Sequence, residues 1–169
     1  MITLMNGHGQ LGSKLNELYK QKPRGFCEGD AIIYHTWNID DKSENSQKKE
    51  YNKFIDFVGQ NKHKKIIFIS TYSQKENFYN HYKQLAGAYL VSNCDKALVI
   101  KLPTIIGKGV CRKIKNKEVK AYGEMELISL NKAAEIILEH TRYEGFLKFI
   151  EVEGEKVRAK LVEAILHET

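Results

Sequence analysis

The sequence predicts an α/β fold with a mostly parallel sheet of about five strands and helices on both faces. Three observations predict it. Short apolar runs alternate with stretches of helical periodicity along the chain. The first apolar run leads directly into a glycine-rich turn and then a helix. Of 169 residues, 42% are apolar and 28% charged, ordinary proportions for a chain that buries a core.

Residues 2–5 are the first strand, and Leu11, Leu15, Leu18 and Tyr19 then recur at helical spacing until Pro23 and Gly25 close the helix. Residues 31–35 form a second apolar strand, and the polar stretch 38–49 leads into a helix with Tyr51, Phe54, Ile55 and Val58 on one face. Residues 66–69 (Ile-Ile-Phe-Ile) are the clearest buried strand, bounded by Lys64-Lys65 and by Ser70-Thr71. Tyr79, Tyr82, Leu85, Ala86, Tyr89 and Leu90 trace a long helix, and residues 97–102 form a strand stopped by Pro103. Residues 107–127 show no clear period and read as a loop or hairpin. Leu130, Ala133, Ala134 and Ile137 mark another helix, with Ser129 or Asn131 as its N-cap. Residues 146–152 are a late strand, and Val157, Leu161 and Ile165 line a terminal helix. The length and the lack of an internal repeat imply a single domain over residues 1–169.

The formal charge is +6, from 27 Lys and Arg against 21 Asp and Glu. Most lysines are scattered as solvated helix faces would be. The densest cluster, Lys108, Arg112, Lys113, Lys115, Lys117 and Lys120, has no aromatic interleaved before Tyr122, which argues against a nucleic-acid platform. No stretch approaches the ~18 apolar residues of a membrane span. Cys27, Cys94 and Cys111 are odd in number and far apart, with no CxxC. Neither a disulfide framework nor a metal site is expected, and the expected compartment is the cytoplasm.

Residues 6–12 read Asn-Gly-His-Gly-Gln-Leu-Gly, a G-x-G-x-x-G between a strand and a helix. Glycine serves there for the tight turn, for close backbone approach to a pyrophosphate and for helix–strand packing, while the helix N-terminus offers free N–H groups. The companion acid that would hold a ribose has no clear candidate. Asp30 precedes a strand, and Asp40 and Asp41 come late.

Tyr79 and Lys83 form the chain's Tyr-x-x-x-Lys. With nine tyrosines, about one such spacing arises by chance, so its position carries the reading. An i, i+4 pair shares one helix face. That helix follows the strand ending in Ser70 and Thr71, and ligands of such sheets bind at the carboxyl ends of strands. An ammonium beside a phenol stabilises the phenolate, a hydroxyl orients the reacting oxygen, and the phenol exchanges the proton.

These segments together resemble the extended short-chain dehydrogenase/reductase family, the NAD(P)-dependent sugar-nucleotide epimerases, dehydratases and reductases, in a shortened form. Residues 6–12 resemble the G-x-x-G-Q-L-G turn of dTDP-4-dehydrorhamnose reductases, with Asn6 in place of the first glycine. Residues 30–37 are similar to the D-V-V-I-H-L-A strand, normally the fourth, and residues 67–71 to the strand ending in the catalytic hydroxyl. Residues 99–107 resemble V-I-L-R-P-x-x-x-Y-G, and residues 127–134 resemble the V-x-D-V-A helix start with Lys132 for the acid.

The resemblance implies a reduced, Rossmann-like doubly wound sheet. It implies Thr71, Tyr79 and Lys83 as catalytic residues, and NAD or NADP held by Gly7, His8, Gly9, Gln10, Leu11, Gly12, Thr36, Ser70, Lys83 and Pro103. The implied substrate is a nucleotide-linked keto-sugar in surface polysaccharide or deoxysugar biosynthesis, with residues 107–169 as a reduced substrate-side region. The basic segment 108–120 reads either as a contact for substrate phosphates or, lysine by lysine, as a solvated charged loop. On this alignment the second and third strands are missing, which accounts for the missing ribose acid and leaves a strand edge for a homo-oligomer to cover. A second alignment makes residues 31–35 the second strand, with Asp40 or Asp41 at the ribose. A trimmed domain of this kind also admits a non-catalytic module that binds a nucleotide or a protein partner.

Overall fold

The computed structural model describes residues 2–5, 9–21, 31–71, 73, 75–142 and 148–168. Its main sheet is built from β1 (Ile2–Leu4), β2 (Ala31–Tyr34), β3 (Lys65–Thr71), β4 (Ala97–Leu102) and β7 (Phe149–Glu151), in the order β1-β2-β3-β4-β7. Every neighbouring pair is parallel. This is the five-stranded parallel sheet the apolar runs predict. Between these strands lie α1 (Gln10–Gln21), α2 (Glu44–Asn61), α3 (Phe78–Asn93) and α5 (Leu130–His140).

Alternation along the strands sends successive side chains to opposite faces. On one face Ile33, Ile67, Ile69, Leu98 and Ile100 pack against Leu11 and Leu15 of α1 and Ala133, Ala134, Ile137 and Leu138 of α5. On the other, Tyr34, Ile66, Phe68 and Val99 pack against Phe54 and Val58 of α2 and Ala86 and Leu90 of α3. Helices therefore cover both faces, yet the chain crosses the sheet in one direction. Two parallel crossovers that move the same way on opposite faces have opposite hands. If α2 and α3 make the usual right-handed connections, β1-α1-β2 is left-handed.

The α2 helix begins at Glu44, inside the stretch expected to be a polar lead-in, because Ser43 caps it by accepting from Ser46 N. Ser129 caps α5 by accepting from Lys132 N at 3.2 Å. Pro103 has no N–H to continue the ladder, and the chain leaves the sheet there.

A second sheet follows, in the order β5-β6-β8, from β5 (Thr104–Ile105), β6 (Glu124–Ile128) and β8 (Glu155–Arg158). With α4 (Val110–Lys115) and α6 (Ala159–Glu168) it encloses its own core of Cys111, Ile114, Leu127, Val157, Val162 and Leu166. Residues 107–127, expected as a loop or hairpin, thus hold a helix and most of a strand. The terminal stripe is also corrected: Val157 lies in β8, and α6 buries Val162 and Leu166 while Leu161 is 57% exposed. The expected stripe runs from a strand's alternation into a helix's period. No described helix is long and apolar enough to cross a membrane.

Candidate active site

The carboxyl ends of β2 and β3 each feed a loop held by a buried amide. After β2, Trp37 is buried and its indole Nε1 donates to Gln47 Oε1 at 2.7 Å. Gln47 is fully buried, and its Nε2 donates to the carbonyls of Asn38 (3.0 Å) and Asp41 (2.6 Å). Asn38 Oδ1 accepts from the backbone N–H groups of Asp40 and Asp41, and Asp41 Oδ1 accepts from Ser43 N at 2.9 Å. The Ser43 backbone bond holds the Asp41 carboxyl below its ordinary range. Asp41 is thereby a turn-forming residue at the start of α2.

After β3, Thr71 Oγ1 accepts from Ser73 N at 3.1 Å. The α3 cap Asn77 accepts from Asn80 N at 2.8 Å, and the buried Asn80 donates to Ser73 Oγ (3.2 Å) and Lys75 O (2.8 Å). These bonds fix the start of α3 against the end of β3.

Lys83 is only 6% exposed. Its Nζ lies 3.5 Å from Tyr79 Oη. It also lies 5.8 Å, 5.5 Å and 5.4 Å from the ring centroids of Trp37, Phe68 and Tyr79. No carboxylate pairs with it among the described residues. Three ring faces and one phenol oxygen take the place of a counter-ion. The face that α3 buries is Asn80, Lys83, Ala86, Gly87 and Leu90.

Two clefts flank the Trp37–Lys83 contact. One, of about 410 Å³, is lined by Gly9, Tyr34, His35, Thr36, Trp37 and Glu50 among others. The other, of about 380 Å³, is lined by Ser70, Thr71, Lys83, Lys101, Phe149 and Glu151 among others. Burial, reinforced by Glu50, pushes the Tyr34 phenol up, against a hydrogen bond with Thr36. His35 Nε2 is buried without a partner among the described residues, and burial lowers the imidazole below its ordinary value. Cys94 and Cys111 are buried thiols raised by desolvation, poor nucleophiles for that reason.

The structure brings Thr36 to the first cleft, Ser70, Thr71 and Lys83 to the second, and Tyr79 against Lys83. Gly9 is exposed at the start of α1, with open space where a Cβ would stand. Gly7 and His8 lie outside the described residues, as does Asp30. Four other positions expected at the cofactor have different surroundings. Gln10 Oε1 accepts from Lys108 N at 2.7 Å and closes against Gly107. Leu11 and Gly12 are buried in α1, Leu11 within the aliphatic core. Pro103 is buried at the junction of the two sheets, where its ring would lie 2.9 Å from a Cβ on Gly154.

Sequence reasoning missed Gln47 and Asn80. Gln47 stands in register with the apolar stripe Tyr51, Phe54 and Val58, the one signal that could have found it; Asn80 shares its buried face with Lys83 and has no such signal.

No protein-family model matches the chain, and no curated protein does. Solved structures do. The Bordetella bronchiseptica enzyme WbmG in complex with NAD matches at TM-score 0.73 and 14% identity, over 99% of this chain and 77% of that one. A dTDP-4-dehydrorhamnose reductase from Clostridium acetobutylicum matches at 0.75 and 12%, over 99% and 79%. A nucleoside-diphosphate-sugar epimerase from Staphylococcus aureus matches at 0.71 and 17%, over 99% and 76%. The chain has the fold of these sugar-nucleotide enzymes.

That fold decides between the two alignments. In a complete nucleotide-binding sheet of order 3-2-1-4-5-6, right-handed crossovers put the helices after the first and second strands on one face, and those after the fourth and fifth on the other. Here α1 and α2 lie on opposite faces. Hence β2 stands where the fourth strand belongs, and Asp40 and Asp41 are not on a second strand. Among the described residues no strand lies beyond β1.

Proposed function

We propose that the chain is a nicotinamide-dependent oxidoreductase or epimerase acting on a nucleotide-linked keto-sugar, with NAD or NADP as cofactor. The observation that supports this reading most is the buried Lys83 ammonium, ringed by Trp37, Phe68 and Tyr79 and 3.5 Å from the Tyr79 phenol at the carboxyl edge of the sheet. Tyr79 exchanges the proton with the substrate oxygen, and Lys83 stabilises the phenolate. Thr71 accepts its turn bond from Ser73 N, so its own hydroxyl proton is free to donate to that oxygen. Bound nicotinamide supplies or accepts the hydride.

The residues fit one half of such a cofactor well. The open Gly9 and the first N–H groups of α1 suit a pyrophosphate, and Thr36, Ser70 and Lys83 offer hydroxyl and ammonium donors toward a nicotinamide ribose. The adenosine half would lie toward β1, beyond which no strand stands among the described residues. As substrate class, a nucleotide-linked sugar is supported by the Bordetella enzyme of this fold, solved also with NAD and UDP.

The test is calorimetric titration with NADH and NADPH, followed by turnover with keto-sugar nucleotides. Micromolar binding is expected. Tyr79→Phe should lower turnover by about 10²–10⁴-fold while leaving cofactor binding unchanged. Retained turnover in that variant would remove Tyr79 from its role. The position of β1 at the sheet edge favours a second reading, a module that binds a nucleotide or a protein partner without turnover. Binding of neither cofactor at millimolar concentration would select it.

A further inference from the structure

Residues 107–123 carry nearly all of the chain's excess charge. Lys108, Arg112, Lys113, Lys115, Lys117 and Lys120 stand against Glu118 alone, a net of +5 out of +6. Removing these from the chain's 27 basic and 21 acidic residues leaves 21 against 20, a near balance. All six basic side chains are exposed, and none has an ion-pair partner among the described residues. The one acid is engaged locally, with Asn116 Nδ2 donating to Glu118 Oε1 at 3.1 Å.

The segment is a built surface with apolar side chains set among the charges. Val110, Val119 and Tyr122 are 41%, 44% and 79% exposed. Beneath them Cys111 and Ile114 anchor α4 in the small core. Lys117, at φ 60°, turns the chain back, and Lys113 O accepts from the N–H groups of Glu118 (2.8 Å) and Val119 (3.3 Å). Val119 is thereby held at the basic end of the helix. Nucleic-acid surfaces favour arginine and several stacking rings, but here there is one arginine and one ring. Lysines around aliphatic side chains and a tyrosine match an anionic lipid interface, where charges meet headgroups and apolar groups enter the acyl boundary.

We infer that residues 107–123 form a docking surface for an anionic lipid bilayer, with the six basic side chains over the headgroups and Val110, Val119 and Tyr122 at the interface. The Gln10–Lys108 hydrogen bond ties this surface to the start of α1, so a docked bilayer lies beside the candidate cleft. The inference is independent of the cofactor reading, because no residue of the cleft takes part in it.

The test is co-sedimentation of the full chain with vesicles of phosphatidylcholine alone and of phosphatidylcholine with phosphatidylglycerol, at low and high sodium chloride. Binding is expected to the anionic vesicles only, and to fall steeply with salt. At about fivefold per basic side chain, the K113E/K115E/K117E variant should bind at least about a hundredfold more weakly. The V119S/Y122S variant should bind about tenfold more weakly with the same salt dependence. Unchanged thermal unfolding of both variants would exclude misfolding, their sites being exposed. Equal binding to neutral vesicles, no binding to either, wild-type binding by the triple variant, or tighter binding to a single-stranded RNA oligonucleotide than to anionic vesicles would each overturn the inference.

Discussion

The sheet face that carries α1 and α5 is packed with aliphatic side chains, whereas the face that carries α2 and α3 is packed with rings. Leu15, Ile33, Ile67, Ile100 and Ile137 fill the first. Tyr34, Trp37, Phe54 and Phe68 fill the second, with centroids of 4.8 Å for Tyr34–Phe54 and 4.6 Å for Phe54–Phe68. Both faces bury a continuous core, but among the described residues the buried lysine and the two buried amides lie on the aromatic one, while the aliphatic one takes in only the Thr141 hydroxyl at the end of α5. A ring presents a negative face to a cation, and an indole N–H gives a neighbouring amide a partner. That difference gives the buried Gln47 an indole partner and lets Lys83 be buried without a carboxylate partner among the described residues.

The largest expected effect separates the faces directly. Phe54→Ala should cost about 4 kcal/mol of unfolding free energy and Leu15→Ala about 3 kcal/mol, read by chemical denaturation. At a temperature where both remain folded, only Phe54→Ala should lower turnover, since its ring supports Phe68 and Trp37 around Lys83. Equal turnover in the two variants would break the comparison.

Next comes Gln47→Ala, which orphans Trp37 Nε1 and two carbonyls and should cost about 2 kcal/mol. Lys83→Met sharpens the contrast further. Without the cost of a buried charge, stability should be unchanged or higher by about 1 kcal/mol, while turnover is lost. A large loss of stability there would mean that the rings and the ammonium hold each other in place.

The smallest effect is that of pH on His35. Burial lowers its imidazole below the ordinary 6.5, so the unfolded chain binds the proton more readily. The contribution of the neutral ring is complete above 6.5 and is lost as pH falls from there through the folded value. The slope is at most about 1.4 kcal/mol per pH unit. His35→Gln should remove it, as followed by denaturation midpoints between neutral and mildly acid pH. An unchanged slope in that variant would assign the effect to another group.

The short apolar runs, a cap at Ser129 or Asn131 and the Tyr79–Lys83 spacing were legible in the sequence, because each is a relation between residues a few positions apart. Period and capping are local properties, and the chain obeys them in β3, β4 and α5. What the sequence could not display was which face each helix takes and which polar groups go inside. Lys83 is buried because Trp37 and Phe68, from two other segments, bring their rings to it. Gln47 is buried because Trp37 and the turn at Asn38 and Asp41 complete its hydrogen bonds. The opposite placement of α1 and α2, and with it the standing of β2 as the fourth strand, is set by which core each helix closes. Local patterning names the elements; only long-range packing decides their faces and supplies the partners that make a buried charge tolerable.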